Sequence, residues 1–220
     1  WFLISISYIP SSVMASKLGG SLNFSSRAKI ALWLALVAVG VCGRLWQPAY
    51  NVTPLAAIGL AAGSLFGISL AAAAVPIVAL VISNMVLPGY GSTIMTLVVY
   101  GSFACPVLFG SLVKRQGWIA VVGGSLASSL IFFITSNFAT WALSELYPHT
   151  LAGLTTCYVA ALPFYRWMPV GDVVWSVSLF AVLVAVGRIQ QLVQPVQAIP
   201  VTTGHSQTVD RLTEEQRGPQ

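Results

Sequence analysis

Several polar and amphipathic side chains stand where an otherwise apolar chain is least tolerant of them, and they are the residues whose chemistry could recognise a ligand. Asn84, in Ser83-Asn84-Met85, and Asn137, in Thr135-Ser136-Asn137-Phe138, lie near the ends of long apolar runs. An amide without a partner is costly there, so each should meet either a helix-end acceptor or a ligand at an external mouth. Arg44 falls near the outer end of the first long apolar run. A lone guanidinium at that depth calls for an acid, a ligand anion or a lipid phosphate, and Glu145 is the matching acid. Asp172 sits between Pro169-Val170-Gly171 and a long apolar run, which suggests a carboxylate capping a helix N-terminus. Trp46, Tyr50, Trp141, Tyr147 and Tyr158 fit an interfacial aromatic belt or, alternatively, a stacking wall for a flat ligand. Asn51 opens Asn51-Val52-Thr53, a glycosylation pattern followed at once by Pro54; it carries no weight as a modification site and leaves Asn51 as an amide in a loop.

Other chemistries are excluded or unsupported. The three cysteines, Cys42, Cys105 and Cys157, lie in apolar stretches without CxxC spacing, and His149 and His205 fall in different segments. Neither set suggests a metal. None of the three lysines precedes Ser or Thr, so no Walker A phosphate loop exists. No HExxH and no GxSxG is found, and no helically spaced carboxylate pair within residues 29–187. The expectation is a protein that is not an enzyme, with no cofactor. If ATP drives it, another chain hydrolyses the ATP. The net charge of +5 is scattered rather than clustered, which argues against nucleic acid and for orientation in a membrane.

The elements that must position these residues follow from composition. With 57% hydrophobic and 7% charged residues among 220, and a mean hydropathy of +0.85, the chain cannot form a soluble surface. A hydrocarbon core of about 30 Å needs roughly 20 mostly apolar residues per helix. Runs at 29–46, 70–87, 94–113, 118–136 and 170–187 meet that need, and shorter runs occur at 54–67 and 150–165. The predicted fold is an all-α, polytopic transmembrane helix bundle of six or seven spans, one short run being a candidate re-entrant segment. Lys17, Arg27 and Lys29 before the first span and Lys114-Arg115 four spans later both fall on the cytoplasmic side. The external loops are then 47–53, 87–93 and 136–149. Residues 1–28 form a segment of uncertain status, opening on Trp1 and expected to be either a fragment or an upstream extension of a start such as Met14. Residues 29–187 form the helical domain, and 188–220, rich in Gln and charge, read as a disordered tail.

Gly59, Gly63 and Gly67 share one helix stripe at small-xxx-small spacing, and Ala31 and Ala35 make a weaker version. Such stripes let a second backbone approach closely, whether from this chain or from a separate membrane subunit.

Taken in order, Arg44-Leu45, Asn51 to Ile58, Ile131 to Trp141, Tyr147-Pro148, Gly153 to Tyr158, Ala160 to Tyr165 and Gly171-Asp172 resemble an uncharacterised bacterial family of polytopic membrane proteins, a domain of unknown function linked to transport. That family in turn resembles the substrate-binding S components of energy-coupling-factor transporters, small helical proteins of the bacterial inner membrane that work with a transmembrane coupling subunit and separate ATPases. The resemblance implies a lid in the first external loop, a docking face on the Gly and Ala stripes, and pocket roles for Asn137, Trp141 and Tyr147. Where the family has an acid after serine at the end of the third span, this chain has Asn84, which counts against a cation there. The expected function is binding of a small, vitamin-like nutrient from outside. The candidate ligand residues are Arg44, Asn51, Asn84, Asn137, Trp141, Tyr147 and Tyr158. The alternative is a structural or assembly protein that binds partner helices. An outward cavity lined by Asn137, Trp141 and Arg44 would favour the first; a fully packed bundle would favour the second.

Overall fold

The computed structural model describes residues 25–46 and 51–193, with side chains to Gly187. The expectations for residues 1–24, for Tyr50 in the first loop, and for the tail from 194 onward lie outside the described residues. Helices follow one another along the rest: α1 Ser26–Leu45, α2 Leu55–Phe66, α3 Leu70–Asn84, α4 Thr93–Ala104, α5 Pro106–Gln116, α6 Trp118–Leu143, α7 Leu151–Tyr165 and α8 Met168–Val193. α4 and α5 are two halves of one rod, Thr93–Gln116, divided where Pro106 opens a new helical segment after Cys105. Each apolar run of the sequence therefore forms a helix.

Local sequence sets the ends. Ser25, Ser69, Ser92 and Thr150 each accept a hydrogen bond from the backbone N–H three residues on, which satisfies a donor that the helix leaves free. Gly67 ends α2 with φ +71°, a backbone conformation that glycine adopts without penalty. Among the described residues four helical segments are long and apolar enough to cross a membrane: Ser26–Leu45, Thr93–Gln116, Trp118–Leu143 and Met168–Gly187. α2, α3 and α7 are shorter.

Burial follows the pattern expected in lipid, with small and hydroxyl residues inside and large aliphatics outside. Ser64, Ser83, Ser125, Ser128 and Ser129 are buried, and the first four donate their hydroxyls to carbonyls three or four residues back. Ile119, Leu126, Leu130 and Ile134 of α6 face outward on the same helix. α2 is the innermost element, with every residue from Leu55 to Ser64 buried. At a rise of 1.5 Å per residue its 12 residues extend only ~18 Å, short of the ~30 Å hydrocarbon thickness.

The glycine stripe explains how α2 is enclosed. A Cβ on Gly63 would collide with the carbonyl of Val107, and one on Gly110 would collide with the backbone at Gly63 and Ser64. α2 and α5 thus meet backbone to backbone. Gly59 faces Pro106 in the same contact, whereas Gly67 has nothing near it and serves as the helix terminator. Ala31 and Ala35 point away from the bundle.

α6 differs from its predicted extent. It runs on to Leu143, so the external loop expected at 136–149 shortens to residues 144–150. Ser136, Asn137, Thr140 and Ser144 bond the carbonyls of Phe132, Phe133, Ser136 and Thr140. A polar stretch that reads as loop is accommodated as helix because each side chain folds back onto the preceding turn.

Candidate functional site

Two polar nodes are built on different helices. The first gathers around Arg44, in the last turn of α1. One guanidinium nitrogen, Nη1, donates to Ser83 Oγ at 2.6 Å, to Asn84 Oδ1 at 2.6 Å and, at 3.5 Å, to the carbonyl of Leu80; the other, Nη2, donates to Tyr90 Oη at 2.8 Å. Asn84 uses its Nδ2 to donate to Tyr100 Oη at 3.0 Å. α1, the end of α3, the loop after it and α4 are thereby tied to one cation. Every partner is neutral, and Glu145 is not among them: the expected ion pair is replaced by a shell of amide, hydroxyl and phenol groups. Asn84 is needed as an acceptor because a guanidinium can only donate. Burial pushes the Tyr90 phenol up from its usual 10.0, with the nearby Arg44 charge pulling the other way.

The second node lies between α6, α7 and the start of α8. A cavity of about 140 Å³ is lined by Asn51, Phe132, Phe133, Ser136, Asn137, Ala161, Phe164, Tyr165 and Met168. It unites two of the candidate amides, Asn51 and Asn137, with an aromatic wall in which the Phe133 ring lies tilted against Tyr165, centroids 4.4 Å apart, and against Tyr158, 5.5 Å apart. Asn51 reaches it from a left-handed backbone conformation, φ 62°, which asparagine tolerates better than most residues. Asn137 Nδ2 is engaged with the Phe133 carbonyl, which leaves its Oδ1 as the acceptor available to a ligand.

One turn beyond the cavity lining, Asp172 is buried, 1% exposed. It does not cap a helix. α8 begins at Met168, placing Asp172 on the helix face that turns into the bundle, where Oδ2 accepts from Ser129 Oγ at 2.6 Å. Its Oδ1 and the Ser176 hydroxyl are buried without partners.

The remaining candidates are placed elsewhere. Trp141 Nε1 donates to the Pro148 carbonyl at 3.0 Å and the ring meets His149 edge-on at 5.6 Å, so it pins the α6–α7 connection. Tyr147 lies half-buried in that connection. Tyr158 Oη donates to the Ile134 carbonyl at 2.8 Å, bracing α7 on α6 behind Phe133. Arg44 and Trp141 thus do not join Asn137 at one cavity. Two larger hollows, about 460 Å³ between α3, α4 and α5 and about 400 Å³ between α4 and α6, are open apolar grooves on the outer face. Among the described residues no group of three His, Cys, Asp or Glu side chains could hold a metal ion.

Sequence reasoning passed over Tyr90, Tyr100, Ser129, Ser176 and Tyr165. A signal existed for Ser129: Ser125, Ser128 and Ser129 recur at helical spacing and form a polar stripe along an apolar helix. Tyr90, a lone aromatic between Gly89 and Gly91, carries no periodic cue.

A helical bundle with aliphatic residues outside, hydroxyls inside and helices long and apolar enough to span a bilayer is a polytopic membrane protein. Within that class the chain belongs to the family of unknown function DUF6580, which it matches over residues 24–196. No curated protein and no solved structure matches the chain.

Proposed function

We propose that the protein is a transport component of a bacterial inner membrane that binds a small nutrient from the external side and has no ATPase activity of its own. The observation that carries this reading is the cavity joining Asn51 and Asn137 to Phe132, Phe133 and Tyr165. Amide acceptors beside an aromatic wall suit a small solute with a polar edge and a flat or apolar body. Size narrows the class. A cavity of about 140 Å³ is close to the ~150 Å³ that accommodates benzene and below the roughly 300–1,000 Å³ of pockets for drug-sized ligands. The solute is therefore smaller than most vitamins, unless the walls separate on binding. In the S-component reading, a transmembrane coupling subunit and separate ATPases supply the energy.

The test is thermal stability of detergent-purified protein against small amides, nucleobases, short-chain acids and vitamins, because a ligand that binds only the folded state raises its apparent stability. A selective shift that Asn137→Ala and Asn51→Ala both abolish supports the reading. The absence of any shift across the panel counts against it.

A second reading is an assembly protein that binds partner helices. It draws on Ala31 and Ala35, which face outward, since α5 already fills the groove at Gly59 and Gly63. Co-purification of a membrane partner that Ala35→Leu releases would favour it.

A further inference from the structure

We propose that Asp172 is a proton-binding site inside the bundle, with the hydroxyls of Ser129 and Ser176 as its shell. The proposal begins with an imbalance. Asp172 is almost fully buried, yet of its four lone-pair positions the structure engages one, through Ser129. Its Oδ1 has no partner, and neither does the Ser176 hydroxyl one turn further along the same helix face. Other buried serines, Ser64, Ser83, Ser102, Ser125 and Ser128, all donate to a carbonyl three or four residues back. Ser176 does not, so its hydroxyl stays uncommitted one turn from an uncommitted carboxyl oxygen.

Among the described residues no positive group balances the carboxylate. From α6 the facing group is Ser129. From the segment before α2, Val52 packs on Gly171 and brings nothing titratable. α1 comes close where Gly43 faces Trp175, but the neighbouring Arg44 is engaged with Ser83, Asn84 and Tyr90. At the end of α7 the phenol of Tyr165 is the nearby titratable group, and it offers no positive charge. An isolated carboxylate with one donor is not sustained in such surroundings; the compensating charge must come from solution. Ca²⁺ and Mg²⁺ gather six or more oxygens and Zn²⁺ takes about four ligands, mostly His and Cys; two uncommitted oxygens fall short of either. A proton needs one. Added to Oδ1, it turns the carboxylate into a neutral acid while Oδ2 continues to accept from Ser129. Ser176, one turn on along the same helix face, is not bonded to Oδ1 in the structure and is the acceptor that a side-chain rotation would offer the new O–H. Release of the proton reverses that step.

The position gives the proton a purpose. Met168 precedes Asp172 by one turn of α8, and Phe132 and Phe133 follow Ser129 by one turn of α6; all three line the solute cavity. The site thus deepens the transport reading, on which its role as a coupling site rests, by placing an ion next to the solute. Proton binding itself can be measured with no solute present.

The experiment is infrared difference spectroscopy of the protein in lipid nanodiscs through a pH titration, in Na⁺ and again in K⁺. The expected result is a protonated-carboxyl band at pH 7 that is lost in Asp172→Asn, shifted in Ser176→Ala and Ser129→Ala, and the same in both salts. Absence of such a band at pH 7 would overturn the proposal, as would a carboxylate band that responds to Na⁺ and vanishes in Asp172→Asn. If Asp172→Asn does not fold, the two serine variants decide: a band that neither moves refutes the site. Thermal shifts with solutes on the same samples keep failure of the solute reading separate from failure of this one.

Discussion

Arg44 and Asp172 are two ionisable side chains turned into the same bundle, and they are treated in opposite ways. Arg44 keeps its charge in a shell of three side chains from α3 and the loop after it, with a backbone carbonyl behind them. Asp172 has one hydroxyl, an idle oxygen and an idle neighbour. A charge satisfied on all sides holds helices in place, and its removal leaves several groups stranded. A group left short of partners can change state without disturbing anything else. The difference separates a fastener from a working site, although both residues look alike in a one-dimensional reading.

That contrast can be broken by experiment. Arg44→Ala should have the largest effect, roughly 2–3 kcal/mol of lost stability, because Ser83, Asn84 and Tyr90 lose a charged donor together; chemical denaturation in detergent would measure it, and a loss below about 0.5 kcal/mol would show that the shell is incidental. Arg44→Lys should recover only part of this, leaving a deficit of about 1 kcal/mol, since an ammonium cannot span the fork from Asn84 to Tyr90. Ser129→Ala should cost about 1 kcal/mol by removing the one donor to Asp172, measured in the same way. Asp172→Asn should change stability least: an amide of equal size replaces a group that was only partly bonded. A loss as large as that of Arg44→Ala would mean that both residues are fasteners. A final, small effect concerns pH. The raised Tyr90 phenol contributes stability that is fully present below about 10, its ordinary value, and is lost as pH rises from there through the higher folded value. Tyr90→Phe should flatten that alkaline decline while leaving stability between pH 6 and 8 within about 0.5–1 kcal/mol of the parent, the worth of one hydrogen bond.

The spans were legible because hydropathy is a local property. The runs at 54–67 and 150–165 are α2 and α7, and the loop expected at 87–93 falls between α3 and α4. What escaped depends on distant residues or on side chains that bond their own helix. Arg44 finds Ser83 and Asn84 across about forty positions of sequence, so charge matching pointed to Glu145 instead. Asp172 read as a cap because Pro169 and Gly171 looked like a boundary, but proline is readily accepted in the first turn of a helix, and α8 already starts at Met168. Asn51 and Asn137 were both legible as unusual amides; their meeting at one cavity was not, because it depends on how the segment before α2 lies against α6.

The short, wholly enclosed α2 also constrains how the chain is made. Leu55–Phe66 leaves the ribosome some forty residues before Val107 and Gly110, the backbone that seals its glycine face. Until then the segment has neither the length to rest stably across the bilayer nor the partner that closes its groove, and its immediate companions are α1 and α3. The closing of the Gly63–Val107 contact is therefore a late event in the order of synthesis, since α2 gains the backbone that covers its glycine face only once α5 has been made.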